Sequence, residues 1–186
     1  LYSIRKGQYP LVHELTHSLL GYGDNFDSSK GYITQEGFAI FMENKYGKQE
    51  YPVHKVMKNF VMSQKTIPLH KLVSVESDDA LFRTPIVEFK DLSLQWMSYT
   101  HAGSFVTYLI ETYGLEKFEK VYNQSSLDKK FQEIYGKTTE ELEKEWLLFI
   151  DENYEELDTE DKMKIDYFYE KISAVDLIDK EIFKRS

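Results

Sequence analysis

The stretch YPLVHELTHSLLGYG, residues 9–23, holds two of the chain's five histidines four positions apart, with an acid directly after the first. Pro10 suits the first turn of a helix, where its missing N–H costs nothing. Val12, Leu15 and Leu19 then recur at helical spacing, and Gly21 and Gly23 are expected to stop the helix. Residues i and i+4 of a helix lie on one face, one turn apart. His13 and His17 can therefore aim their imidazoles at one point, as two of the three protein ligands of a catalytic zinc site. Glu14 falls about 100° further round the helix. A carboxylate there stands beside the metal without binding it and can take a proton from an activated water, which is the mechanism behind the H-E-x-x-H spacing. The competing reading is an ordinary amphipathic helix that happens to carry two histidines.

A third ligand stands further along. Eighteen residues separate His17 from Glu36, in GYITQEGFAIFMENKYG. Thr34 reads as the N-cap of a second helix, with Phe38, Phe41 and Met42 on one face and Glu36 in the first turn. An antiparallel helix joined by a loop of that length brings its start back toward the first helix, and Gly37 removes bulk where two helices approach. A first-turn acid also favours the helix dipole, which accounts for an acid at this place but not for its spacing from the histidines.

Composition narrows the chemistry. The chain has 186 residues, enough for one domain with a substantial core or two small subdomains that share one. With 41% hydrophobic and 30% charged residues it is globular and water-soluble in character, not disordered. A net charge of −9 argues against nucleic acid as a partner, because phosphate binding needs a local excess of Lys and Arg. There is no cysteine, so any transition-metal site must use histidine and carboxylate. No apolar run approaches the roughly 20 residues that span a bilayer, and LYSIRKGQYP has no signal-like apolar core. The abrupt entry into the first helix suggests the trailing part of a larger protein.

Beyond Glu36 the pattern stays helical. DNFDSSKG reads as loop; VHKVMKNFVMSQ, LQWMSYTHAGSFVTYLIETYG, LEKFEKVYNQ, LDKKFQEIYG and TTEELEKEWLLFIDENY read as helices. The last has Thr138 or Thr139 as cap and glutamates in its first turn. RTPIVEF is the most strand-like piece, which Pro85 weakens. Ile165, Phe168, Ile172 and Val175 make a final amphipathic helix after a charged hinge at residues 158–161. The chain is therefore expected to be mainly α, with little or no sheet.

HELTH followed after eighteen residues by QEGFA resembles the gluzincin metallopeptidases, in the spacing of the zinc aminopeptidase branch and of peptidase MA-like domains. The thermolysin branch is similar only in HELTH itself: its third ligand normally lies one residue further on, with an Asp four residues beyond, where this chain has Ile40. YTHAGSFVTYLIETYGLEKFEKVY resembles the family segment in which a tyrosine precedes a small-residue pair and a helix ending in Tyr-Gly, and FQEIYGKTTEELEKEWLLFI resembles the closing segment of peptidase MA-like domains. The resemblance covers roughly Gln8 to Ile150.

The resemblance implies the helical, C-terminal portion of a zincin catalytic domain over residues 1–153, with an amphipathic helical extension over residues 154–186. It implies Zn²⁺ on His13, His17 and Glu36, Glu14 as general base, and a peptide or protein substrate. The sequence leaves the compartment open, with a lean to an extracytoplasmic or cell-surface bacterial location. The family's oxyanion-donating tyrosine matches Tyr99, but the aminopeptidase pattern Tyr-x-Lys-Gly is departed from: Gly103 comes four residues after Tyr99 and His101 stands near the lysine's place. His101 is thus an alternative donor. His54 and His70 have no partner spacing and are expected at the surface. FMEN, residues 41–44, is similar to the exopeptidase amine-binding signature, but it follows the zinc helix and reads as helix. A non-catalytic binding scaffold on the same fold is the rival to the peptidase.

Overall fold

The computed structural model describes residues 10–20, 31–48, 51–168 and 177–185. Ten α-helices are labelled here in chain order: α1 Leu11–Leu20, α2 Tyr32–Tyr46, α3 Val53–Met62, α4 Leu69–Leu72, α5 Asp78–Leu81, α6 Phe89–Tyr113, α7 Leu115–Glu119, α8 Leu127–Tyr135, α9 Thr139–Asn153 and α10 Thr159–Phe168. The fold is mainly α, and no strand occurs among the described residues. RTPIVEF, expected as the most strand-like piece, is instead an exposed connection into α6, with Ile86 and Val87 turned to solvent. Among the described residues no strand runs beside it to pair its backbone, and Pro85 removes one donor.

The long helix α6 is the axis of the molecule. It begins at Phe89, five residues before the apolar periodicity shows, because Glu88 and Asp91 form a capping box. Val106, Leu109, Phe105 and Met97 of α6 are buried with Val56, Met57 and Phe60 of α3, and with Leu142, Trp146 and Ile150 of α9. Aromatic rings interlock at the centre: Phe105 lies 5.3 Å from Trp146 and 5.8 Å from Phe131, edge to face in both cases. The expected cap of α9 is Thr138, whose side chain accepts from Glu141 N while Glu141 returns the bond. Ile165 of α10 and Ile178 beyond it are buried with the same core, and Lys55 pairs with Asp161 at 2.7 Å. Ile172, Val175, Gly21, Gly23 and most of DNFDSSKG lie outside the described residues.

α2 lies against α6 in the same direction. Gly37 fits against α6, where a Cβ would collide with the Ala102 carbonyl, and Gly103 fits against Ile40, whose Cγ2 would lie 2.6 Å from an added Cβ. The glycine expected to ease a close helix approach does so, but against α6 and not against α1. The small pair Ala102–Gly103 serves the same contact from the other side. The backbones can touch only because neither helix carries bulk there.

Candidate metal centre

α1 is held by its polar face. Thr16 is its one buried residue among those described, while Leu15 is 46% and Leu19 75% exposed. The expected apolar face, Val12, Leu15 and Leu19, is therefore not the packed one. The side turned to α2 carries His13, Thr16 and His17. Thr16 Oγ1 donates to Val12 O at 2.7 Å, which satisfies its hydroxyl inside the helix.

The start of α2 is locked from outside. Gly31, at φ 71°, precedes the helix and sits so close to Asn123 that a Cβ would lie 2.8 Å from the Asn123 Cα. Thr34 is not the cap: its Oγ1 donates to Gly31 O at 2.8 Å and accepts from Asn123 N at 2.9 Å. Gln35 Nε2 donates to Asn123 Oδ1 at 2.8 Å. The helix thus starts three residues earlier than a cap at Thr34 implies, and the turn that carries Glu36 is tied by two bonds to Asn123 in the segment after α7.

On this frame three donor atoms converge. His13 Nε2 and His17 Nε2 are 3.2 Å apart, and Glu36 Oε2 lies 3.2 Å from the first and 3.3 Å from the second. The rings meet edge to face, at 82°. Oε2 is buried yet makes no well-directed hydrogen bond. A tetrahedral centre with bonds of about 2.0–2.1 Å sets its ligand atoms about 3.3–3.4 Å apart. The three separations match one face of such a tetrahedron, and two imidazoles plus one carboxylate are the donor set that zinc accepts with a fourth position left open. These residues are the one group of three or more metal-type ligands among those described.

Charge follows geometry. Burial alone would push the Glu36 carboxyl up, but the two imidazoles against it outweigh burial and hold it at about 2. The Glu36 carboxylate raises His17 above the usual histidine value, against burial, and Glu14 adds to the rise. The carboxylate is thus ionised at neutral pH, as a metal ligand must be.

Tyr99 lies beside the three ligands from α6. Burial raises its phenol above the ordinary value; the charges of Glu36 and Glu14 raise it further. It therefore keeps its proton through the neutral range and remains a donor. Its ring stacks on Phe82 at 6.0 Å, and Phe82 stacks on Tyr32 at 6.5 Å. Glu14 is exposed on α1, close enough to act on both His17 and Tyr99.

His101 is elsewhere. It is fully buried, its Nδ1–H donates to Met97 O at 2.7 Å and its Nε2 accepts from Ile67 N at 3.0 Å. Neither nitrogen is left for a substrate. His54, expected at the surface, is 7% exposed and packs against α6. Its place in the first turn of α3 points it inward, which spacing from other histidines does not reveal. His70 is half-buried. FMEN lies within α2, as expected.

One positioning residue escapes the motif. Glu43 Oε2 accepts from the His13 backbone N–H at 3.0 Å, at the third residue of α1. Glu43 thereby satisfies a free donor of that helix start with a charge that favours it. Its sequence signal is the spacing from Glu36: seven residues, two turns along one face of α2.

The family model of the Peptidase MA superfamily matches residues 2–152. No curated protein and no solved structure matches the chain.

Proposed function

The chain belongs to the Peptidase MA superfamily, and from that premise we propose that it is a zinc-dependent metallopeptidase of the gluzincin type, acting on peptides or proteins. The observation that carries this reading is the triangle of His13, His17 and Glu36 donor atoms, 3.2–3.3 Å apart around a buried oxygen without a directed hydrogen bond. These three residues would hold the ion. Zinc so held supplies Lewis-acid polarisation of a carbonyl and makes water acidic enough to lose its proton near neutral pH.

The remaining work falls to the chain. The Glu14 carboxylate takes the proton of the attacking water and returns it to the leaving amine as the peptide bond breaks. Glu14 is exposed, so it meets water and substrate from the open side of α1. Tyr99 donates its phenolic hydrogen to the oxygen on which negative charge develops, and its raised value keeps that hydrogen in place at working pH. Glu43 holds the His13 backbone, and the Asn123 network holds the turn that carries Glu36.

The test is Glu14→Gln, assayed on a peptide library with and without chelator. Wild type is expected to cleave in a chelator-sensitive way. The variant is expected to keep its zinc, measured by elemental analysis, and to lose about 10²–10⁴ in rate. Undiminished hydrolysis by the variant would sink the mechanism. A wild type that binds zinc and cleaves nothing in the library would leave a metal-holding scaffold.

A further inference from the structure

A cavity of about 570 Å³ opens at the opposite end of α2 and α6 from the metal ligands. Asn44 on its wall comes eight residues after Glu36, and Glu111 twelve after Tyr99. At about 1.5 Å per residue, those are roughly 12 and 18 Å along the helices. The volume is in the range of small-molecule sites. Phe41, Val53, Ile110 and Tyr154 give it apolar walls, and His54 and Glu111 supply polar groups; of the two lysines on its lining, Lys55 is paired with Asp161 and Lys45 lies over the Phe41 ring.

The hydrogen-bond chain behind His54 fixes what that residue offers. Trp146 Nε1 lies 3.0 Å from Ser104 Oγ, and His54 Nδ1 lies 2.9 Å from the same oxygen. An indole N–H can only donate. Ser104 therefore accepts from Trp146, and the arrangement that also places its hydroxyl proton gives that proton to its other partner, His54 Nδ1. The neutral imidazole then carries its hydrogen on Nε2. That N–H is buried and has no hydrogen-bond partner. Glu111 Oε2 faces it at 3.8 Å, beyond hydrogen-bond reach, on a side chain that is 50% exposed. At His54 the cavity thus presents one unanswered buried donor and, beside it, one acceptor.

We propose that this cavity binds a neutral primary carboxamide carried on an aromatic or branched apolar body. The carbonyl oxygen accepts from His54 Nε2–H, the amide N–H donates to Glu111, and the apolar body lies among Phe41, Val53, Ile110 and Tyr154. A carboxylate matches less well, because both its oxygens accept and its charge meets that of Glu111. An amidinium has donors only and leaves the His54 N–H facing another N–H. A primary amide carries both functions on one carbon, side by side. A buried donor left unanswered is costly, so the group that answers it is favoured over the one that cannot.

The experiment follows the imidazole ¹H–¹⁵N signals of the full chain during titration with benzamide, benzoate and benzamidine, three probes that differ only in the head group. Benzamide is expected to move the His54 signals, leave those of His13 and His17 in place, and bind about tenfold tighter than either charged probe. Glu111→Ala, at a half-exposed side chain that the fold does not need, is expected to cost benzamide about tenfold in affinity and to bring benzoate closer to it. Benzamide that leaves His54 unmoved overturns the assignment. So does equal binding of benzoate or benzamidine to the wild type, or an unchanged benzamide affinity in the folded Glu111→Ala variant.

Discussion

The histidines at the metal end and those in the core make opposite use of the same ring. His101 has one nitrogen donating to a carbonyl and the other accepting from a backbone N–H. It is a structural pin between α6 and the segment that enters α4, stacked on Phe60 at 5.5 Å. His13 and His17 are also partly buried, but their Nε2 atoms point at each other and at one carboxylate oxygen. Three electron-rich atoms brought to one spot, one of them a buried carboxylate oxygen without a directed hydrogen bond, are an arrangement that a cation resolves. Burial of a histidine therefore distinguishes little. What separates a pin from a ligand is whether its free nitrogen finds a partner of opposite character or one of its own kind.

Tyr99→Phe tests the metal end with the largest effect expected there apart from Glu14. It removes one hydroxyl from a stacked ring, so folding and metal content should stay as they are. Loss of an oxyanion donor lowers kcat by about 10²–10³, with KM little changed. If kcat stays within a few-fold of wild type, the donor is another group, and the tyrosine belongs with the structural residues of the core.

His101 tests the core end through pH. Burial depresses its value to about 4 from the 6.5 of an exposed histidine. The unfolded chain therefore takes up its proton first as pH falls, and the native state loses ground between pH 6.5 and 4. The stability involved is fully present above 6.5 and amounts to about 3 kcal/mol. His101→Gln lowers stability at neutral pH but should flatten that acid slope, read as urea midpoints across the range. Parallel slopes in variant and wild type would mean that His101 does not titrate with folding.

The two ends were not equally legible from sequence. At the metal end, one helical turn fixes the His13–His17 spacing and the chain supplies Glu36 after a loop, so local periodicity contains most of the geometry. The cap of α9 was legible for the same reason, since Thr138 and Glu141 act within four residues. The core end depends on contacts between distant segments. His54 meets Ser104, which is itself bonded to Trp146, fifty residues away, and no spacing rule encodes that meeting. α1 misled in the opposite sense: Leu15 and Leu19 have helical spacing, yet the packed side is the one that carries the ligands. Apolar periodicity reports that a face exists, not what covers it.

Glu43 joins the two kinds of information and carries the smallest expected effect. It sits two turns beyond Glu36 on α2, as local periodicity allows, but its bond goes to the backbone of His13 on another helix. One helix thus supplies both a candidate metal ligand and the group that anchors the first histidine. Glu43→Gln keeps an acceptor oxygen and loses the charge at a helix N-terminus, a change of about 0.3–1 kcal/mol. Glu43→Leu removes the acceptor as well, leaves the His13 N–H unanswered, and should weaken zinc binding about tenfold, as loss of a supporting partner typically does. The graded series, Gln milder than Leu, distinguishes anchoring from packing, because Leu fills the space of the stem and Gln does not restore the charge. Zinc affinities measured by competition with a chromophoric chelator read the series directly. If Glu43→Leu binds zinc as tightly as wild type, His13 is held by its own helix alone, and the metal end is a more local construction than the bond from α2 implies.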